Sequence, residues 1–419
     1  MTAICHKCIK DAFLKQEILS EANHQFCDEC ETTAEAITVE DLGKRLNELM
    51  REFYFPGDFY RTFSGVDDDR GHDEQHGESL SAIVEGVLGQ HLGVHEEIIS
   101  AMYEADDYRP QDGEEAYWDE CVNYVFVCPQ VDPADLPDWY GTARDLKHGV
   151  RFFSERAKKL FESIFDGIET LTAFDEGSWQ PVAFALAAGT KLYRSRLVNS
   201  DDVLLSVFND PASAVGPPPD HAARAGRMNP EGVSVVYAAM DADTCVAEMR
   251  PAIGSEVAVI SLTTIRELRI LDFTRLEKAW KEISFFDPDF ALKRQTHNFV
   301  KRLHKTISRP VIPGREFDYL ITQTMAEYLS CVFSPPFDGI KFGSAQKKGG
   351  VNIVLLPGMR PSGGSMEDRF GISYIENSLE LFQITEVQIG KKVMRPFQMS
   401  DGSVALYSPD DHYEEFEGY

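Results

Sequence analysis

Nothing in the 419 residues approaches the roughly 20 consecutive apolar residues of a membrane-spanning helix. The longest apolar stretch, WQPVAFALAAGTKLY, is too short and is broken by Pro181 and Gly189. The opening MTAICHKCIKDAF lacks the apolar run that heads a secreted chain. These absences set the expectation of a cytoplasmic protein with no membrane partner. No Gly-x-Gly-x-x-Gly run is present, which argues against a hydride-transferring dinucleotide fold. No internal repeat is visible either. Basic residues are scarce, 41 Lys and Arg against 69 Asp and Glu, for a formal net charge of -28. So acidic a surface repels nucleic-acid backbone, and nucleic acid is not an expected partner. An anionic ligand must instead meet a locally basic site.

What is present is enough for buried cores: 43% hydrophobic and 11% aromatic residues, in a length that suits two or three domains. Eight cysteines are unevenly placed. Cys121, Cys128, Cys245 and Cys331 are scattered in apolar surroundings and read as small buried hydrophobes. Cys5, Cys8, Cys27 and Cys30 form C-x2-C-x18-C-x2-C, a spacing that brings four thiolates to one ion. Without a secretion signal, the cluster argues for metal over disulfides. Four thiolates close a tetrahedral shell and leave no place for a catalytic water, so a structural Zn(II) is expected. His6 and His24 are nearby substitutes in a shell that the cysteines already fill.

The predicted fold class is α+β. Residues 1–35 are expected to form the zinc-binding segment and 36–178 a helical domain. Residues 179–400 are expected to form a mixed α/β domain with a C-terminal extension, and 401–419 an acidic tail. In the helical part, Thr38 precedes an apolar stripe of Leu42, Leu46, Leu49 and Met50 and reads as an N-cap, with Asp41 three residues on. SGVDDDRGHDEQHGES reads as a solvated acidic loop. From about residue 180 strands and turns take over: TKLYRSRL, SVVYAAM, EVAVISLTTI, LRILDF, FDGIKFGSA and VNIVLLPG. Asp241 or Asp243 is expected to cap a helix in DADTCVAEMR.

Three pieces of the strand-rich half carry polar residues in an order that points to chemistry. The first is a strand with Tyr193 and Arg194. The second runs Gly226-Arg227-Met228-Asn229-Pro230-Glu231-Gly232, then Tyr237 at a strand, then Ala247-Glu248 on a helix. The third is Asp338-Gly339-Ile340 followed by Ser344. This set resembles the RES-domain family, named for its Arg, Glu and Ser, over about residues 185–360. Here Gly226 and Arg227 are adjacent, without the family's intervening residue, and Met228 stands where an aromatic is common. The resemblance implies a fold similar to ADP-ribosyltransferase toxins, with NAD as substrate and cleavage of its nicotinamide–ribose bond. It also implies a toxin of a toxin–antitoxin or phage-defence system.

The residue chemistry fits independently of the name. Guanidinium groups pair with a pyrophosphate, which suits Arg194 and Arg227. Glycosidic cleavage passes through an oxocarbenium-like state that a carboxylate stabilises, which suits Glu248. Tyr237 or Tyr193 can stack on a ring, and the Ser344 hydroxyl can bond ribose, phosphate or carboxamide. Asn229 is a ligand-binding candidate that can also brace its turn through its side chain. Lys347 and Lys348 read as a solvated basic turn near Ser344. Catalytic roles thus fall to Arg194, Glu248 and Ser344, and binding roles to Tyr193, Arg227, Asn229 and Tyr237. The acceptor, phosphate or water, stays open, as do an antitoxin or regulatory partner and homo-oligomerisation. The helical half resembles HEPN-type domains, some of which are RNases with an Arg-x(4–6)-His motif, matched by Arg70 and His76. A mono-ADP-ribosyltransferase, a non-enzymatic module and an RNase are the alternative readings.

Overall fold

A computed structural model describes residues 2–21, 23–62, 72–106, 108, 115–128, 131, 136–175, 177–308, 319–387, 393, 395–398 and 404–407. Arg70 and most of the 401–419 tail lie outside these residues. The chain divides into two compact units, residues 1–135 with 282–295, and residues 136–281 with 296–418. Both mix helix and strand, and among the described residues no helix is long and apolar enough to cross a membrane.

In the first unit, strands Ala3–Cys5, Thr33–Thr38 and His24–Phe26 form a small antiparallel sheet around the cysteines. Helix Val39–Met50 follows at once. Its N-cap is Thr38, whose hydroxyl accepts from the Asp41 N–H at 3.0 Å and donates to the Asp41 carboxylate at 2.6 Å. Its apolar stripe, Leu42, Leu46 and Met50, is buried against helices Leu80–Leu88 and His95–Ala105, which flank a break at Gly93. The segment is not purely helical: strands Tyr54–Pro56, Glu78–Ser79 and Asn123–Phe126 form a second small sheet. The buried Asn47 amide is satisfied, accepting from the Trp118 indole at 2.8 Å and donating to the Ala105 carbonyl at 3.2 Å, as a buried polar group must be.

The second unit is built on a nine-stranded sheet. Its strands are β1 (Ala183–Leu186), β2 (Lys191–Val198), β3 (Val236–Ala239), β4 (Glu256–Thr264), β5 (Leu268–Asp272), β6 (Gly339–Gly343), β7 (Val351–Leu355), β8 (Ile372–Tyr374) and β9 (Glu380–Gln383). The order is β1-β5-β6-β7-β3-β2-β4-β8, with β9 also on β4. All neighbours are antiparallel except β5 and β6. β4, EVAVISLTT, is buried over most of its length on both faces, which explains its near-continuous β-branched and apolar run. One core, with Trp139, Phe161, Phe165, Phe273 and Leu303, includes helices Trp139–His148 and Glu155–Phe165. A separate core gathers Leu192, Val207, Ile260 and Phe370.

The seam of this sheet matters most for function. β2 pairs along its whole length with β4, and β3 pairs fully with β7. Between β2 and β3 there is one register pair, Tyr193↔Ala239. The two halves of the sheet are joined at that point and diverge beyond it.

Asp338, just before β6, ties loops and strands together. Its carboxylate accepts from Arg266 at 2.7 Å, from Arg360 at 2.6 Å and from the Arg269 N–H at 2.9 Å. Burial pushes its pKa up, but the Arg266, Arg269 and Arg360 hydrogen bonds outweigh that and leave it below the ordinary 3.8. Replacing Asp338 by Asn should therefore destabilise the protein by about 2 kcal/mol at neutral pH. A carboxylate with a lowered folded pKa contributes its stability above the unfolded value and loses it as pH falls through the folded one. The difference in denaturation midpoint between Asp338→Asn and wild type should thus shrink below about pH 4. A gap that stayed constant down to that pH would contradict this role.

Candidate active site

The diverging seam opens a cavity of about 620 Å³ whose lining includes Arg194, Arg227, Tyr237 and Glu248. Four of the seven residues singled out for catalysis or binding are thus brought together.

Arg194 projects from β2 across the gap. Its Nη1 donates to the Tyr237 carbonyl at 2.6 Å and its Nε to the Val215 carbonyl at 2.7 Å. The guanidinium stands where strand pairing between β2 and β3 stops, and bonds a carbonyl of the partner strand. Among the described residues no carboxylate pairs with it. Burial lowers its pKa to about 10, which still leaves it charged at neutral pH.

Glu248 is the last residue of helix Ala242–Glu248. Asp241 caps the start, accepting from the Thr244 N–H at 2.8 Å. The helix is stitched to β2 where the Ser195 hydroxyl donates to the Cys245 carbonyl at 2.8 Å and the Cys245 thiol to the Tyr193 carbonyl at 3.2 Å. Burial raises the Cys245 pKa to about 11, so this cysteine packs as a neutral thiol, as its apolar context indicates. The Glu248 Oε1 accepts from the Ser344 hydroxyl at 2.6 Å and from the Asn352 amide at 2.7 Å. Among the described residues no Lys or Arg pairs with Glu248.

Ser344 follows β6 directly, and its single hydrogen goes to Glu248. Its oxygen accepts from the N–H groups of Gln346 and Lys347, both at 3.1 Å. The serine therefore fixes the carboxylate from behind and is not among the residues that line the cavity. Lys347 pairs with Asp241 at 2.9 Å and so ties the Ser344 loop to the start of the Glu248 helix. Gly350 closes the loop where a Cβ would come within 2.6 Å of the Thr244 hydroxyl.

Tyr237 presents its ring to the cavity with Phe342 and Tyr319. Its hydroxyl accepts from the Met228 N–H at 2.9 Å and donates to Asn229 Oδ1 at 2.9 Å. Burial raises its pKa to about 12. Asn229 is only 2% exposed and its Nδ2 reaches the carbonyls of Arg224, Pro230 and Val233. Its side chain braces the turn that carries Arg227. Gly226 is required there, because a Cβ would lie 2.7 Å from both Asn229 Oδ1 and the Tyr237 hydroxyl. The Arg227 carbonyl accepts from Thr322 at 2.6 Å, fixing the backbone beneath the guanidinium. Tyr193 takes part through its carbonyl, and its ring carries the Lys191 ammonium 4.9 Å from its centroid.

The ring residues Phe342 and Tyr319 escaped the sequence reading, as did three polar participants, Asn352, Arg250 and Gln346. Asn352 had a signal, a lone amide inside the apolar strand VNIVL. Arg250 and Gln346 carried none.

Residues 192–375 match the family model described as the RES domain. The chain carries a RES domain. The match spans the strands from β2 to β8, and with them Arg194, Arg227, Tyr237, Glu248 and Ser344. RES domains are associated with NAD-related toxins, which makes an NAD-acting enzyme the coarse reading. No curated protein and no solved structure matches the chain.

Apart from the RES domain, the four N-terminal cysteines lie with all Sγ atoms within 4.8 Å of one another. Cys5 to Cys8 is 3.7 Å, Cys5 to Cys30 3.6 Å and Cys8 to Cys27 3.8 Å. A tetrahedron with metal–sulfur bonds of about 2.3 Å has sulfur–sulfur edges of about 3.8 Å. The thiols thus fit a four-thiolate metal site, the donor set of structural zinc. The Cys5 N–H donates to Cys27 Sγ at 3.2 Å, a contact that supports a charged sulfur. His6 and His24 instead face Glu35, at 3.5 Å and 3.7 Å. Elemental analysis of the purified chain should find about one zinc per molecule. Cys27→Ser or a strong chelator should remove it and lower the melting temperature. A metal-free chain that melts like the wild type would exclude this role.

Proposed function

We propose that the RES domain binds NAD in the β2–β3 cleft and cleaves the nicotinamide–ribose bond. One observation carries this reading. Glu248 faces a cavity that is also lined by three arginines, Arg194, Arg227 and Arg250, and neutral donors rather than a cation keep it in place. A carboxylate so held is available to positive charge that develops in a ligand. The ribosyl centre becomes oxocarbenium-like as the C–N bond breaks, and Glu248 stabilises it. The bond's electron pair leaves with nicotinamide, which departs neutral. Oxygen of phosphate or water then forms the new bond to the anomeric carbon. Phosphate gives ADP-ribose 1″-phosphate; water gives ADP-ribose and a proton.

In this reading Arg194 and Arg227 take the pyrophosphate, as paired guanidinium donors do. The Tyr237 ring, with Phe342 and Tyr319, forms the apolar wall for a ring of the dinucleotide. Ser344 and Asn352 hold the carboxylate in one orientation. Loss of NAD is lethal to a cell, so we assign the enzyme to a toxin or defence system silenced by an antitoxin or regulatory partner.

NAD consumption by the full chain, followed by NMR with and without phosphate, tests the reading. Glu248→Gln should lower the rate by about 10²–10³-fold. Ser344→Ala removes an orienting bond and should cost about tenfold. Product that carries phosphorus on the anomeric carbon would name phosphate as acceptor. Label transferred to a macromolecule would instead identify an ADP-ribosyltransferase. NAD loss that is equal in wild type and Glu248→Gln would refute the assignment.

A further inference from the structure

The helix that presents Glu248 ends in an unusual way. Arg250 follows two residues later with φ 47°, in the left-handed region. Its N–H bonds the Ala247 carbonyl at 3.0 Å, closing the last turn. Helices usually give such a position to glycine, since a side chain there costs about 1 kcal/mol. Here the chain keeps a long cationic side chain instead, and that side chain lines the cleft.

The guanidinium is not committed to an acid. The Gln346 amide, with its oxygen toward Arg250, accepts from Nη2 at 3.0 Å and from Nε at 3.2 Å. Among the described residues no carboxylate pairs with it. A guanidinium has five N–H donors, so those remaining can meet an oxyanion in the cavity. The two segments involved are the ones that carry the chemistry: Arg250 is two residues from Glu248, and Gln346 two from Ser344. Gln346 is itself anchored, its N–H bonded to the Ser344 hydroxyl.

We propose that Arg250, steadied by Gln346, is a phosphoryl-binding element at the exposed mouth of the cleft. The inference rests on the reading of the cleft as an NAD site. A planar fork with free donors suits a phosphoryl oxygen pair. Two ligands offer that chemistry, the pyrophosphate of the dinucleotide and an inorganic phosphate acceptor.

Calorimetric titration of the full chain separates them. The probes are ADP-ribose, inorganic phosphate and adenosine; the proteins are wild type, Arg250→Gly and Arg250→Lys. Glycine relieves the backbone, so its melting temperature should equal or exceed that of wild type. Arg250→Gly should nevertheless weaken a phosphoryl ligand about tenfold and leave adenosine unchanged. Arg250→Lys should fall between, since it keeps the charge and loses the fork. Weaker ADP-ribose binding assigns the pyrophosphate; a loss confined to inorganic phosphate assigns the acceptor. Unchanged binding of both, or an equal loss for adenosine, overturns the inference while the NAD reading stands. A wild type that binds none of the probes overturns both.

Discussion

A carboxylate at the C-terminal end of a helix faces backbone carbonyls that already carry partial negative charge. Glu248 occupies that position, and among the described residues no Lys or Arg pairs with it. Two neutral donors hold it instead: Ser344 from the end of β6 and Asn352 from β7. The helix and the paired β6 and β7, about a hundred residues further along the chain, therefore have to meet within hydrogen-bond distance of one oxygen. Much of the second unit's architecture serves that meeting. β6 and β7 are paired in register, the Asp241–Lys347 ion pair ties the Ser344 loop to the helix, and Ser195 and Cys245 fasten the helix to β2. A carboxylate held this way is oriented but not neutralised.

The sheet seam makes room for it. Continuous pairing of β2 with β3 would fill the space with backbone. The pairing stops after Tyr193↔Ala239, and the Arg194 guanidinium bonds the carbonyl that is left at Tyr237. A cation thereby serves as a structural bridge and as part of the cavity wall. The Asn229 turn performs the matching task on the other side. It locks the Tyr237 hydroxyl and sets Arg227 at the rim, which leaves the aromatic ring to face the opening. The cleft is preformed by these bonds, which reduces the ordering that a ligand must supply.

What the sequence made legible was chemistry that depends on local spacing. The paired CxxC motifs led directly to four converging thiols, and Thr38 and Asp241 cap helices as their neighbours required. Arg194, Arg227, Tyr237 and Glu248 were readable from their order along the chain, and a shared cavity contains them. What was not legible depends on register and on partners distant in sequence. Tyr193 and Arg194 are adjacent, yet only the arginine reaches the cleft, a difference that only the strand pairing decides. Ser344 reads as a ligand-facing hydroxyl, whereas its hydrogen is committed to Glu248 across 96 residues. Asn352 is one amide in an apolar strand, and its role appears only when β7 lies beside the helix. Arg250 gives no local signal because nothing in AEMRP reveals a left-handed backbone.

The central claim is that a dinucleotide lies in the β2–β3 cleft with its nicotinamide ribose over Glu248. A crystal structure of the full chain with a non-hydrolysable carbocyclic NAD analogue tests it most directly. The account predicts the sugar's anomeric position beside the Glu248 carboxylate, with the pyrophosphate among the cleft arginines. An analogue seated elsewhere, or a cleft left empty at saturating analogue, would contradict it.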